Sequence, residues 1–68
     1  MKNKLKIERA ILNITQEQLA EKIGVSRQTI NSIETNRFVP STLLALKLSM
    51  LLGKPVNEFF ELEEEDKK

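Results

Sequence analysis

Between Ser26 and Glu34 the chain reads Ser-Arg-Gln-Thr-Ile-Asn-Ser-Ile-Glu, a segment whose polar side chains are of the types that read nucleic-acid bases. Gln28 and Asn31 carry carboxamides, which can pair with the N6 and N7 edge of adenine, while the Arg27 guanidinium matches O6 and N7 of guanine. Ser32 adds a hydroxyl that donates or accepts toward either base. Arg27 suits a phosphate nearly as well, because its fork of donors also fits a phosphate group. On a helix, Ile30 and Ile33 turn one face inward and leave Arg27, Gln28, Asn31 and Ser32 together on the outward face. A plain solvated helix face uses the same residue types, so the neighbouring elements must decide between the two readings. Catalysis has little to work with. The chain has no His and no Cys, no phosphate-cradling glycine loop, and no paired carboxylates outside its acidic end, so no catalytic residue, metal site or cofactor is expected.

The elements that would position this face follow from apolar spacing. Apolar residues recur at helical intervals and nowhere sustain a two-residue alternation, which predicts an all-α fold. Leu5, Ile7, Ile11 and Leu12 predict a first helix over about 4–12, ended near Asn13, with Ile14 packing inward. Thr15 predicts the N-cap of a second helix, and Gln18 completes a capping box. Leu19, Ala20 and Ile23 form that helix's buried face, and Gly24 follows as a left-handed C-cap. Only Val25 then intervenes before Ser26, the N-cap of the third helix. Asn36 to Pro40 reads as a loop, and Ser41 caps a fourth helix, Thr42 to Leu52, that stops at Gly53. Pro55 is expected to begin a short fifth helix, Val56 to about Phe60. The brief alternation Phe60-Glu61-Leu62-Glu63 allows a short strand against Met1 to Lys4.

Two short helices joined by a tight glycine turn make a helix-turn-helix unit, which sets its second helix in the major groove. The requirements are met in register: a small residue at the helix crossing (Ala20), the turn glycine (Gly24), and anchors for the second helix (Val25, Ile30, Ile33). The block from Thr15-Gln16-Glu17-Gln18-Leu19-Ala20 through Gly24-Val25-Ser26-Arg27-Gln28 to Ile30-Asn31-Ser32-Ile33-Glu34 resembles the lambda-repressor-like, Xre-type helix-turn-helix family. Pro40-Ser41 and Leu46-Lys47-Leu48 through Leu52-Gly53 resemble that family's fourth helix, so the likeness covers nearly the whole chain. It implies a compact five-helix DNA-binding domain and a transcriptional regulator. It also implies base contacts from Arg27, Gln28 and Ser32, with Asn31 on the same face, and a backbone grip from Arg37, aided by Thr35 and Asn36. Gln16 and Ser26 stand at helix N-termini, where free N–H groups and the helix dipole favour phosphate. Arg9 and Glu34 match a family pair that ties the first helix to the end of the third, and are expected to be structural. Asn36 stands where many family members have glycine, a position that Asn tolerates because it adopts left-handed backbone more readily than most residues.

The 68 residues, 40% hydrophobic and 31% charged, suit one small domain, expected over 1–62, with a charged tail at 63–68. Residues 1–56 carry nine Lys and Arg against four Glu (net +5), and residues 57–68 two Lys against six Asp and Glu (net −4). A basic body and an acidic, solvated tail are thus expected. No apolar run approaches the roughly 18 residues of a membrane span, and no apolar signal region follows the first lysines, so the expected location is the cytoplasm. One helix in a groove covers few base pairs, which implies a homodimer on a two-fold symmetric double-stranded DNA site. The fourth helix has more apolar residues than one buried face can use, and Leu43 and Met50 lie where family members often carry charges. Leu43, Met50, Phe59, Phe60 and Leu62 are therefore the expected dimer interface. No small-molecule site is evident. The function expected is a sequence-specific regulator, a repressor; the alternative is an antitoxin-like or assembly module that keeps the fold without reading DNA. The outward face beside Arg37 favours the reader.

Overall fold

The structure, a computed structural model, describes residues 1–68. It contains four α-helices, α1 (Leu5–Ile11), α2 (Gln16–Ile23), α3 (Arg27–Glu34) and α4 (Thr42–Leu52), and a short antiparallel pair, β1 (Lys2–Asn3) with β2 (Phe60–Glu61). Local chemistry sets most boundaries. Thr15 Oγ1 accepts from the Gln18 N–H at 3.0 Å while Gln18 Oε1 accepts from the Thr15 N–H at 2.8 Å, closing the capping box that starts α2. Ser26 Oγ and Ser41 Oγ cap α3 and α4, accepting from the Thr29 and Leu44 N–H groups, each at 3.2 Å. Gly24 ends α2 at φ 77°. A Cβ there would meet nothing within 4 Å, so the backbone conformation, and not crowding, asks for glycine. Asn13, at φ 57°, turns the chain out of α1 in the same way.

The core gathers one face from each helix: Leu5 of α1, Leu19, Ala20 and Ile23 of α2, Ile30 and Ile33 of α3, Leu44 and Leu48 of α4. Phe59 and Phe60 complete it. Ala20, 3% exposed, lies in this core beside α3, as expected for the small residue of a close helix crossing.

Two expectations need correction. The fifth helix is a single 3₁₀ turn, Val56–Glu58, so the fold has four α-helices and not five. The reason is space: Pro55 starts the turn, and Phe60 is already paired with Asn3, leaving too few residues for an α-helical turn. The second correction concerns the expected interface. Phe59 and Phe60 are buried within the protomer, their rings 4.9 Å apart and tilted by 54°, because the strand pair folds them over the core. They have little surface to offer a partner.

The strand pair itself matches the expectation from alternation, with Lys2 opposite Glu61 and Asn3 opposite Phe60. Beyond it, Glu64–Lys67 forms a second 3₁₀ turn, and the Met1 ammonium lies 3.0 Å from both Glu63 Oε1 and Asp66 Oδ2. Hydrogen bonds to Asp66 and Glu63 hold this ammonium above its ordinary pKa. The Asp66 carboxyl is held below its own, first by the Glu63 N–H and then by the ammonium. The acidic end is thus folded back on the first residue. No helix is long and apolar enough to cross a membrane.

Candidate nucleic-acid interface

The two helices of the central motif begin with unpaired backbone donors. The Gln16 and Glu17 N–H groups of α2, and the Arg27 and Gln28 N–H groups of α3, have no partner within the protein. Each pair carries the positive end of its helix dipole, a setting that favours phosphate. From α3, Arg27, Gln28 and Asn31 are exposed and Ser32 is half-buried, while Ile30 and Ile33 lie in the core. The four residues proposed from sequence therefore lie on the outward side of one helix, whose first turn also supplies free donors.

Behind this face is a polar network that fixes its angle. Arg9 Nε donates to Glu34 Oε2 at 2.8 Å, Nη2 to Glu34 Oε1 at 3.3 Å, and Nη1 to the Ile14 carbonyl at 3.0 Å. Arg9 thus links α1 and the α1–α2 connection to the last residue of α3. Gln16 Nε2 donates to Glu34 Oε1 at 3.0 Å and to Asn31 Oδ1 at 3.2 Å. The Glu34 side chain, 3% exposed, is a nearly buried carboxylate held by three donors. These bonds define what two of the candidates have left to offer. Both amide hydrogens of Gln16 are engaged inside the protein, leaving its backbone N–H as the donor for phosphate. Asn31 turns its oxygen toward Gln16 and keeps its Nδ2 group, without a protein partner, for the solvent side.

Past α3 the chain makes a compact loop. Thr35 Oγ1 donates to the Asn31 carbonyl at 2.8 Å, so the hydroxyl closes its own helix. Asn36 takes left-handed backbone, φ 62°. The Arg37 N–H then donates to the Ser32 carbonyl at 2.8 Å, and the Arg37 side chain is exposed and makes no ion pair. Arg37 lines a shallow depression together with Ser26, Gln28, Thr29, Ser32 and Phe38. The loop cation and two of the base-reading candidates thus face one space. Ser26 Oγ, meanwhile, is engaged with the Thr29 N–H and hydroxyl.

Sequence reasoning missed two supports of this region. Asn3 of β1 donates through Nδ2 to the Ile33 carbonyl at 2.9 Å and to Asn36 Oδ1 at 2.8 Å, and its Oδ1 accepts from the Leu5 N–H at 3.2 Å. One side chain so pins the end of α3 and the left-handed residue of the loop. Glu8 is buried, and its Oε1 lies 2.8 Å from Lys54 Nζ. That hydrogen bond holds the Lys54 pKa above its ordinary value. Partners 30 or more residues apart give no local signal. The amphipathic placement of Glu8, one residue from Ile7 and three before Ile11, was the available hint.

The chain matches the helix-turn-helix family model over residues 5–59. This is the span that holds all four helices and the arrangement just described. The chain belongs to the lambda-repressor-like, Xre-type helix-turn-helix family. Several curated relatives share its full extent. It is 48% identical over 66 residues, 97% of this chain and all of the relative, to an uncharacterised HTH-type transcriptional regulator of Methanocaldococcus jannaschii. It is 47% identical, with the same coverage, to the uncharacterised HTH-type transcriptional regulator YgzD of Bacillus subtilis. A third, from Methanothermobacter thermautotrophicus, is 39% identical over 69 residues and covers both chains completely. As a helix-turn-helix protein of the transcriptional-regulator type, the chain is a DNA-binding protein.

Proposed function

We propose that this helix-turn-helix protein is a sequence-specific repressor that reads the major groove with α3 and acts as a cytoplasmic homodimer on a two-fold symmetric site. The observation that carries the reading is the joint placement of Arg27, Gln28, Asn31 and Ser32 on the outward side of α3, flanked by unpaired N–H groups at both helix starts and by Arg37. Base-edge groups specify and phosphate groups position, and a reader needs both. Gln28 and Ser32 contact bases; Arg27 reaches a base or the adjoining phosphate; Arg37 and the backbone donors of Gln16 and Arg27 hold the strands. Asn31, braced by Gln16, presents its amide donors to the groove. The protein represses by occupying its site.

The dimer part of the proposal rests on α4. Leu43, Leu46 and Met50 recur at spacings of three and four along its outer side and are exposed, Met50 by 85%. Leu62, beyond β2, is exposed as well. A helix apolar on its solvent side as well as its core side calls for a partner. Selection of bound sequences from a random duplex pool, followed by titration of the selected and a scrambled duplex, tests the function. Enrichment of a two-fold symmetric sequence supports it. Absence of any enriched sequence, with no duplex bound at low salt, transfers the case to the protein-interaction module.

A further inference from the structure

The chain has three aromatic residues; Phe59 and Phe60 are buried against each other, and Phe38 is left 46% exposed. Phe38 does not stand apart from the reading face, since its ring shares the shallow depression lined by Ser26, Gln28, Thr29, Ser32 and Arg37. The loop that carries it is fixed without DNA. Both the Arg37 and Phe38 N–H groups donate to the Ser32 carbonyl, at 2.8 and 3.2 Å, so the backbone that carries the ring is tied to the helical turn that bears the Ser32 side chain. We propose that Phe38 forms an apolar subsite of the DNA interface that takes the C5 methyl group of a thymine, making it a specificity-determining residue beside Gln28. The proposal rests on the DNA-reading function above.

The chemistry follows from what the groove offers. Thymine alone among the four bases presents an apolar group there, and apolar side chains, phenylalanine among them, are its complement. That methyl lies at the edge of the base nearest its own sugar-phosphate strand. A ring adjacent in sequence to Arg37 arrives at this edge when the guanidinium holds a phosphate of the same strand. Gln28 and Ser32 then face the polar base atoms while the ring covers the methyl, and cytosine, which lacks the methyl, leaves the subsite unfilled. A protein side chain fits the depression less well. Apart from Phe38, its walls are hydroxyls, a carboxamide and a guanidinium, which an apolar anchor would bury without hydrogen bonds.

The test uses the full chain and the duplex obtained by selection. Each dT of one half-site is replaced in turn by dU, which removes the methyl and nothing else. Wild type should lose about fourfold in affinity at one thymine, the worth of one buried methyl-sized group. Phe38→Ala should lose a similar factor on the parent duplex and show no further loss on the dU duplex, while its Gln28-dependent preference persists. Phe38→Leu, a second variant that keeps an apolar side chain, should retain part of the methyl dependence. Indifference of wild type to every dT-to-dU exchange, a selected half-site without thymine, or a full dU penalty in Phe38→Ala overturns the proposal. Uniform weakening of Phe38→Ala on all duplexes, with the dU penalty unchanged, places the ring on deoxyribose and overturns it as well. Failure of the underlying DNA-reading function looks different: no sequence is enriched, and wild type binds no duplex.

Discussion

Arg9 and Glu34, 25 residues apart, meet through two hydrogen bonds, 2.8 Å from Nε to Oε2 and 3.3 Å from Nη2 to Oε1. Their side chains are 16% and 3% exposed, so removing one partner leaves a charge in a largely water-free site. Replacing either with Ala should lower the unfolding free energy by about 3 kcal/mol, and the double substitution should cost clearly less than the sum. Denaturant unfolding of the four proteins in the cycle measures the coupling. Additive costs would remove the pair from its structural role.

A second buried charge gives a pH signature. The Glu8 carboxylate raises the Lys54 pKa through a hydrogen bond, and the charge of Glu8 adds to that effect. A group raised on folding stabilises the native state fully below its unfolded value and loses that contribution as pH rises through the folded value. Stability should therefore hold to about pH 10 and fall above the ordinary lysine range near 10.4. In Lys54→Met the component of the fall that belongs to this pair should be absent. Unfolding midpoints measured from neutral to alkaline pH, showing identical slopes for both proteins, would contradict the assignment.

Gln16 connects support to reading. Its amide donates to Glu34 and Asn31 together, so Gln16→Ala should cost about 1 kcal/mol of stability. It should also broaden the base preference at the position that Asn31 faces, since the Asn31 amide is then free to rotate. Repeating the duplex selection with this variant detects the second effect. Unchanged preference at every position would show that Asn31 is not a reader.

The starts and stops of the helices were legible in the sequence because each rests on bonds within a few residues. Thr15 with Gln18, Ser26, Ser41, Gly24 and Gly53 act where they stand, and all take the expected cap conformations. The outward face of α3 was legible for a similar reason, since Ile30 and Ile33 fix its rotation. What stayed hidden was set by distant contacts. Asn3 is an ordinary polar residue until the pairing of β1 with β2 carries it to Asn36. Gln16 is an exposed helix-start residue until Asn31 and Glu34 come within reach of its amide. The fifth helix was overread because the apolar spacing from Val56 to Phe60 suits a helix, whereas strand pairing at Phe60 shortens it to one 3₁₀ turn. Phe59 and Phe60 were assigned to a partner's surface for want of a signal that the strand pair folds them inward.

The proposed dimer depends on Leu43, Leu46 and Met50, three exposed apolar side chains of α4. Met50→Lys should shift a dimer measured by sedimentation at micromolar concentration toward monomer while leaving the helical signal of the folded protein intact. Because Met50 is almost free of contacts within the protomer, stability at fixed protein concentration reports lost association and not a damaged core. A wild type that is monomeric throughout the micromolar range would overturn the interface.

The central claim, that α3 reads bases while the loop beyond it holds the backbone, is tested most directly by the salt dependence of binding for Gln28→Ala and Arg37→Ala on selected and scrambled duplexes. Gln28→Ala should lose about 1–3 kcal/mol on the selected duplex, keep its binding to the scrambled one, and show an unchanged salt slope. Arg37→Ala should weaken both duplexes alike and make the slope shallower by about one unit for each phosphate contact removed, hence about two for a dimer. Loss of affinity without loss of preference in Gln28→Ala, or wild-type binding that distinguishes neither duplex, would contradict the account.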